Sequence, residues 1–151
     1  MIENIHQVIM REALQLAWEA FYAQEVPVGA LIILNDQIIA RTFNQKEASK
    51  DPTAHAEILA IREACLLMDS WHLEEAVMYV TLEPCPMCAY AMIQARIKRV
   101  VFGAYDPKAG AAGSVINVFE KKLFNHQVEV IGGVLEEECG NLLKEFFQNR
   151  R

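Results

Sequence analysis

The amino-acid sequence predicts a three-layer α/β/α fold. Helix-period and strand-period segments alternate along the whole chain, the pattern of helices packed on both faces of a sheet. The 151 residues suit one compact domain burying roughly 70% of its unfolded surface. No repeat, low-complexity tract or linker divides residues 1–151.

Residues 5–24 place Ile5, Ile9, Ala13, Leu16, Ala17 and Ala20 at helical spacing with charges between them. Glu25-Val-Pro-Val-Gly29 ends this helix, since proline removes a donor and clashes with the preceding turn. Ala30–Leu34 and Gln37–Phe43 are strand-like runs, and Asn35-Asp36 between them reads as a hairpin turn. After a polar loop, Asp51-Pro-Thr-Ala-His-Ala-Glu57 predicts a second helix, with Pro52 and Thr53 as its start signals. It continues through Ile58, Leu59, Ile61, Cys65 and Leu66. Ala76–Leu82 reads as a strand running into Glu83-Pro84-Cys85, and Pro86-Met87-Cys88 opens a third helix. Met87 and Met92 read as core filler there. Arg99–Gly103 is another strand and Val128–Gly132 a fifth. The last helix starts at Leu135, with Leu135, Cys139, Leu142, Leu143, Phe146 and Phe147 on one face. Glu136 to Glu138 in its first turn and Arg150 and Arg151 at its end complement the helix dipole.

Composition narrows the function. Apolar residues make up 53% and charged residues 23%, which is globular rather than disordered. The start of the chain lacks a basic n-region and an apolar h-region, and no apolar run approaches the roughly 18 residues that cross a bilayer. A cytoplasmic location is expected. A net charge of −6 argues against general affinity for polyanions. The charge is uneven, however. Residues 1–95 carry 5 basic and 13 acidic side chains, whereas residues 96–126 carry 6 basic and 2 acidic ones. A local basic region on an acidic chain suits binding at a defined anionic site better than coating of nucleic acid; by charge alone it is equally read as an ordinary solvated face.

Of the four cysteines, Cys65 and Cys139 sit in apolar helical stripes and read as buried free thiols. Cys85 and Cys88 form a C-x-x-C at a helix start. Residues at i and i+3 share one helix face, and a helix N-terminus favours the thiolate that binds metal. His55 supplies a third donor. Three protein ligands leave the fourth tetrahedral position of a zinc ion to water, the catalytic rather than the structural arrangement. Zinc lowers the pKa of that water to about 7. Glu57, not itself a ligand, can then move protons. Residues at i and i+2 diverge on an ideal helix, so His55 and Glu57 meet only beyond the helix end. The site is therefore expected between two helix N-termini. With 27 residues between Glu57 and Cys85, the pattern matches the H-x-E…P-C-x-x-C signature of zinc nucleobase deaminases. Lys108-Ala-Gly110-Ala-Ala-Gly113-Ser114 lacks the ending of a phosphate-binding P-loop; its glycines read as allowing a sharp turn or a close approach. Asn44, between strand and loop, is by its residues alone equally a turn residue or a ligand contact.

Several segments together resemble one family, the bacterial tRNA-specific adenosine deaminases. They are Glu25-Val-Pro-Val-Gly-Ala30, Asn44, Asp51-Pro-Thr-Ala-His-Ala-Glu-Ile58, Val80-Thr-Leu-Glu-Pro-Cys-Pro-Met-Cys88, Arg99-Val-Val-Phe-Gly-Ala104, Lys108 to Ser114 and the Phe146-Phe147 to Arg151 ending. The resemblance implies a cytidine-deaminase-like fold with a five-stranded mixed sheet, one zinc ion per subunit and a homodimer. It implies conversion of adenosine to inosine at the wobble position of a tRNA, an arginine tRNA in particular. By the same resemblance Asn44 hydrogen-bonds a flipped-out base, Pro27 and Val28 line its pocket, and backbone amides near Ala56 and Cys85 complete it. Asp106 and Lys108 fall in a loop that contacts flanking nucleotides, and Phe147, Arg150 and Arg151 on a helix that meets the anticodon loop. Tyr105 stands where well-known members carry a basic residue, which implies stacking in place of one phosphate contact.

Two other readings compete. A guanine or other free-base deaminase of the same fold shares His55-Ala-Glu57 and Pro84-Cys-Pro-Met-Cys88 but differs after Arg99. A non-catalytic, zinc-stabilised RNA-binding module has no use for Glu57.

Overall fold

The computed structural model describes residues 2–121 and 123–150. Five strands form one mixed sheet in the order β2-β1-β3-β4-β5. They are β1 (Gly29–Leu34), β2 (Gln37–Phe43), β3 (Val77–Leu82), β4 (Arg99–Ala104) and β5 (Glu129–Ile131). β1 runs antiparallel to both β2 and β3, while β3, β4 and β5 are parallel. The three-layer fold read from the sequence is the one observed.

The period of two along each strand sorts side chains into two cores. Leu31, Tyr79 and Val101 face α1 (Ile5–Tyr22) and α5 (Glu136–Gln148), where Met10, Ala13 and Cys139 meet them. Ala30, Ile32, Met78, Val80, Val100 and Phe102 face the other way, toward α3 (Ala56–Met68) and α4 (Pro86–Gln94). α3 presents Ala56, Ala60 and Ala64, all fully buried, at a four-residue spacing, so its backbone lies close to the sheet. Gly29 serves the opposite face. A Cβ there would sit 2.6 Å from the Ala17 backbone nitrogen, so α1 approaches β1 more closely than a side chain permits.

The hairpin forms as expected, with Asn35 and Asp36 both at positive φ (52° and 62°), the twist that suits a two-residue turn. The second helix needs correction. Pro52 and Thr53 do not start it; residues 51–54 form a turn in which Asp51 Oδ1 accepts the amide and hydroxyl of Thr53. His55, extended at φ −70° and ψ 150°, is the residue before α3. The polar loop also contains a short helix, α2 (Lys46–Ser49), that periodicity does not reveal. Buried Glu25 makes it: its two carboxylate oxygens accept the amides of Glu47 and Ala48. Cys139 is buried as expected, whereas Cys65 is partly exposed.

Candidate active site

β3 carries the chain out of the sheet at Leu82, and Pro84 and Pro86 fix the direction of the next turn. Cys85 is the residue before α4, with Pro86 in its first turn, where a missing N–H costs nothing. His55 holds the same position before α3. The donor atoms of His55, Cys85 and Cys88 all lie within 4.8 Å of one another. His55 Nδ1 is 3.5 Å from Cys85 Sγ and 3.4 Å from Cys88 Sγ. A tetrahedral ion with ordinary zinc–sulfur and zinc–nitrogen bonds separates such donors by about 3.6 Å.

The protonation chemistry of the three donors also fits a cation. The Cys88 thiol donates to Cys85, which lowers the Cys85 pKa to about 4 against the cost of its burial; His55 adds to this. Cys88 is driven in the other direction by the same hydrogen bond, by burial and by the negative charge of Glu57. Two adjacent thiolates therefore need a positive ion between them. Both sit at the N-terminus of α4, whose dipole favours negative charge. The donor set fits a thiolate-binding metal.

Glu57 lies in the first turn of α3 and is 4% exposed. Burial pushes its carboxyl up to about 7, reinforced by the charge of Cys85 and opposed by its own backbone amide and by His55. It lines a cavity of about 170 Å³ together with Val28, Asn44, His55, Ala56 and Cys85. His55, just before α3, and Glu57, in its first turn, face one space beyond the helix end, as expected.

Asn44 stands in the wall of this cavity. Its Nδ2 donates to the Val26 carbonyl at 3.3 Å, but its buried Oδ1 has no partner among the described residues. An acceptor in a cavity wall is free to take a donor from whatever occupies the cavity. Val26 joins Val28 in the wall, whereas buried Pro27 is not part of it. Asp106 is a wall residue too; Lys108, Phe147 and Arg150 line neighbouring concavities, and Arg151 lies outside the described residues. Tyr105 meets Phe102 edge-on, 5.1 Å between ring centroids, and stays about half exposed.

Sequence reasoning missed Glu83. This carboxylate, 2% exposed, accepts the amides of Asp106 (2.9 Å), Ala112 (2.9 Å) and Ser114 (3.1 Å) and the Ser114 hydroxyl. The glycine-bearing loop after β4 is a nest for this one anion, and a side chain at Gly110 would collide with it. Glu83 thus ties the 106–114 loop to the segment bearing Cys85. The signal available was an acidic residue between an apolar strand and a proline, next to a distant loop rich in small residues.

A model of the MafB19-like deaminase family matches residues 4–151. The tRNA-specific adenosine deaminase of Bacillus subtilis is 50% identical over 145 residues, covering 96% of this chain and 90% of the relative. A solved structure from work on A-to-I editing by tRNA:A34 deaminases superposes with a TM-score of 0.85 at 43% identity, covering 88% of this chain and 96% of that one. A Bacillus subtilis guanine deaminase structure is 40% identical but superposes less well. Its TM-score is 0.64, covering 68% of this chain and 66% of that one.

Proposed function

The chain belongs to the tRNA-specific adenosine deaminase family, and we propose that it hydrolyses adenosine to inosine in RNA. The target is the wobble position of a tRNA anticodon, with an arginine tRNA as substrate, and one deaminase domain spans residues 1–151. One observation carries this reading: a single cavity of about 170 Å³ gathers the buried Glu57 carboxyl, the unpaired Asn44 Oδ1 and the His55–Cys85 edge of the metal triad. A duplex cannot enter such a space, so a base must leave its stack to reach it.

His55, Cys85 and Cys88 would hold one zinc ion, and the three donors leave a tetrahedral ion one open position. Zinc, when bound, supplies Lewis-acid activation of water at neutral pH. Glu57 takes a proton from the attacking water and delivers it to the ring nitrogen beside C6. A second transfer through the same carboxyl goes to the leaving amine. The water oxygen bonds C6, which becomes tetrahedral as the ring nitrogen takes its proton; the carbon–nitrogen bond then breaks, the carbonyl forms and ammonia departs. Asn44 Oδ1 accepts from the bound base, which rests against Val28, and the amides near Ala56 and Cys85 complete its surroundings. Asp106, Lys108, Phe147, Arg150 and Arg151 meet the flanking RNA.

A homodimer in the cytoplasm is the setting proposed. Tyr90 and Phe124, 5.0 Å apart and each 41% exposed, are the kind of apolar pair a subunit interface covers. No helix among the described residues is long and apolar enough to cross a membrane.

The test is to incubate the purified protein with bulk tRNA and, separately, with guanine. Inosine at the wobble base is the expected result. Guanine turnover without inosine in RNA would reassign the chain to free-base deamination.

A further inference from the structure

Two segments of the chain meet behind the Asn44 wall of the cavity. Residues 25–28 join α1 to β1 and are held from both ends. The Glu25 amide donates to the Ala20 carbonyl at 2.9 Å, and Gly29 packs against the α1 backbone. Residues 44–49 leave β2 and contain α2. Val26 and Val28 from the first segment and Asn44 and Lys46 from the second all line the cavity. Three contacts join the segments. The Asn44 amide donates to the Val28 carbonyl (3.0 Å), and Asn44 Nδ2 donates to the Val26 carbonyl (3.3 Å). The Glu25 carboxylate accepts the amides of Glu47 (3.0 Å) and Ala48 (2.8 Å).

α2 has little else to hold it. None of its four residues is buried, and its N-cap Gln45 makes no side-chain capping bond. A single helical turn does not persist in water on its own hydrogen bonds. Glu25 supplies the missing cap from a distant part of the chain. It is 2% exposed, and no Lys or Arg among the described residues lies within salt-bridge distance of it. Both of its oxygens are therefore given to the two amides. Only a carboxylate offers two acceptors there; a carboxamide would turn its NH2 toward one of the donors.

We infer that Glu25 is a positioning residue for base recognition, which caps α2 and so fixes the backbone of Asn44 at the angle that presents Oδ1 to the cavity. The Asn44 side chain makes one long bond of its own, to Val26, and turns freely unless its backbone is held. Glu25 does not line the catalytic cavity, so its effect on the base passes through Asn44. This rests on the reading of Asn44 as a base contact given above.

The experiment is a double-mutant cycle on zinc-loaded protein: wild type, Glu25→Gln, Asn44→Ala and the double variant, each measured for kcat/KM on an anticodon stem-loop. Glu25→Gln is expected to lower kcat/KM about five- to thirtyfold alone, and less than about twofold when Asn44 is already alanine, because residues acting through one contact are not additive. In the free protein the Asn44 side-chain amide signals of an NMR spectrum should shift or broaden in Glu25→Gln, and the zinc content should not change. Glu25→Asp keeps two acceptor oxygens on a shorter stem and enters the same cycle, where it should show a smaller defect with the same dependence on Asn44. It decides the matter if the carboxamide variant does not fold. No defect, equal defects in both Asn44 backgrounds, unmoved Asn44 signals or loss of zinc overturns the proposal. Wild-type kinetics in Asn44→Ala overturn the base-contact reading instead, and failure of the wild type to form inosine overturns the deaminase reading.

Discussion

His55 and Cys85, thirty residues apart, hold the same place on two helices: each directly precedes the first turn, and Nδ1 lies 3.5 Å from Sγ. Two helix N-termini therefore face one point, and their dipoles favour the anionic donors gathered there.

Metal loss should cost both activity and stability. A chelator, or Cys88→Ala, is expected to abolish inosine formation and lower the thermal midpoint, since an ion bound to the folded state stabilises it. Added zinc should restore the chelated wild type and not the variant. Full activity in protein shown to be metal-free would contradict the assignment.

Asn44→Ala separates stability from function. Among the described residues Oδ1 has no partner and Nδ2 makes one long 3.3 Å hydrogen bond, so removing the amide should leave the thermal midpoint nearly unchanged. Losing a base contact should lower kcat/KM by about ten- to a hundredfold. A large drop in stability with unaltered kinetics would make Asn44 a turn residue.

Glu83 should make the loop it holds acid-sensitive. Burial raises its pKa, but the Ser114 hydroxyl and the amides of Asp106, Ser114 and Ala112 outweigh it and hold the carboxyl below its ordinary 4.5. A depressed folded value adds stability above the unfolded pKa, and that stability is lost as pH falls through the folded one. Glu83→Gln should therefore cost about 1–3 kcal/mol at pH 7, read by urea unfolding. Its deficit relative to wild type should shrink as pH falls below about 4.5. A deficit independent of pH would mean the carboxylate charge does not hold the loop.

Gly29→Ala should destabilise by about 1–3 kcal/mol, because the added methyl meets the α1 backbone rather than a side chain that can move. Urea unfolding that shows a gain in stability, as for an unconstrained Gly→Ala change, would contradict the close α1–β1 packing.

Much of this was legible before any coordinates. Periodicity located every strand because each has one face on each core, and the hairpin announced itself through Asn35-Asp36. That His55, Cys85 and Cys88 come together beside a buried Glu57 was legible because the chemistry expected of them demands particular residue types at particular spacings. What escaped depends on tertiary partners. α2 exists through a carboxylate more than twenty residues away, and the 106–114 loop is shaped by Glu83 from the segment after β3. In the basic segment 96–126, Lys98 and Arg99 pair with Glu75 and Glu129, and Arg96 lies over Trp71, as on an ordinary solvated face. Within that segment, Lys108 lines a concavity beside the cavity, whereas the other cations lining the cavity and its neighbours, Lys46, Lys144 and Arg150, come from acidic stretches.

The most direct test of the account is Glu57→Gln, measured for zinc content and for inosine formed in an anticodon stem-loop. One zinc per chain with a rate reduced about 10²–10⁴-fold is the expected result, since the amide keeps the shape and cannot carry the proton. A metal-loaded variant that deaminates at the wild-type rate would contradict the mechanism.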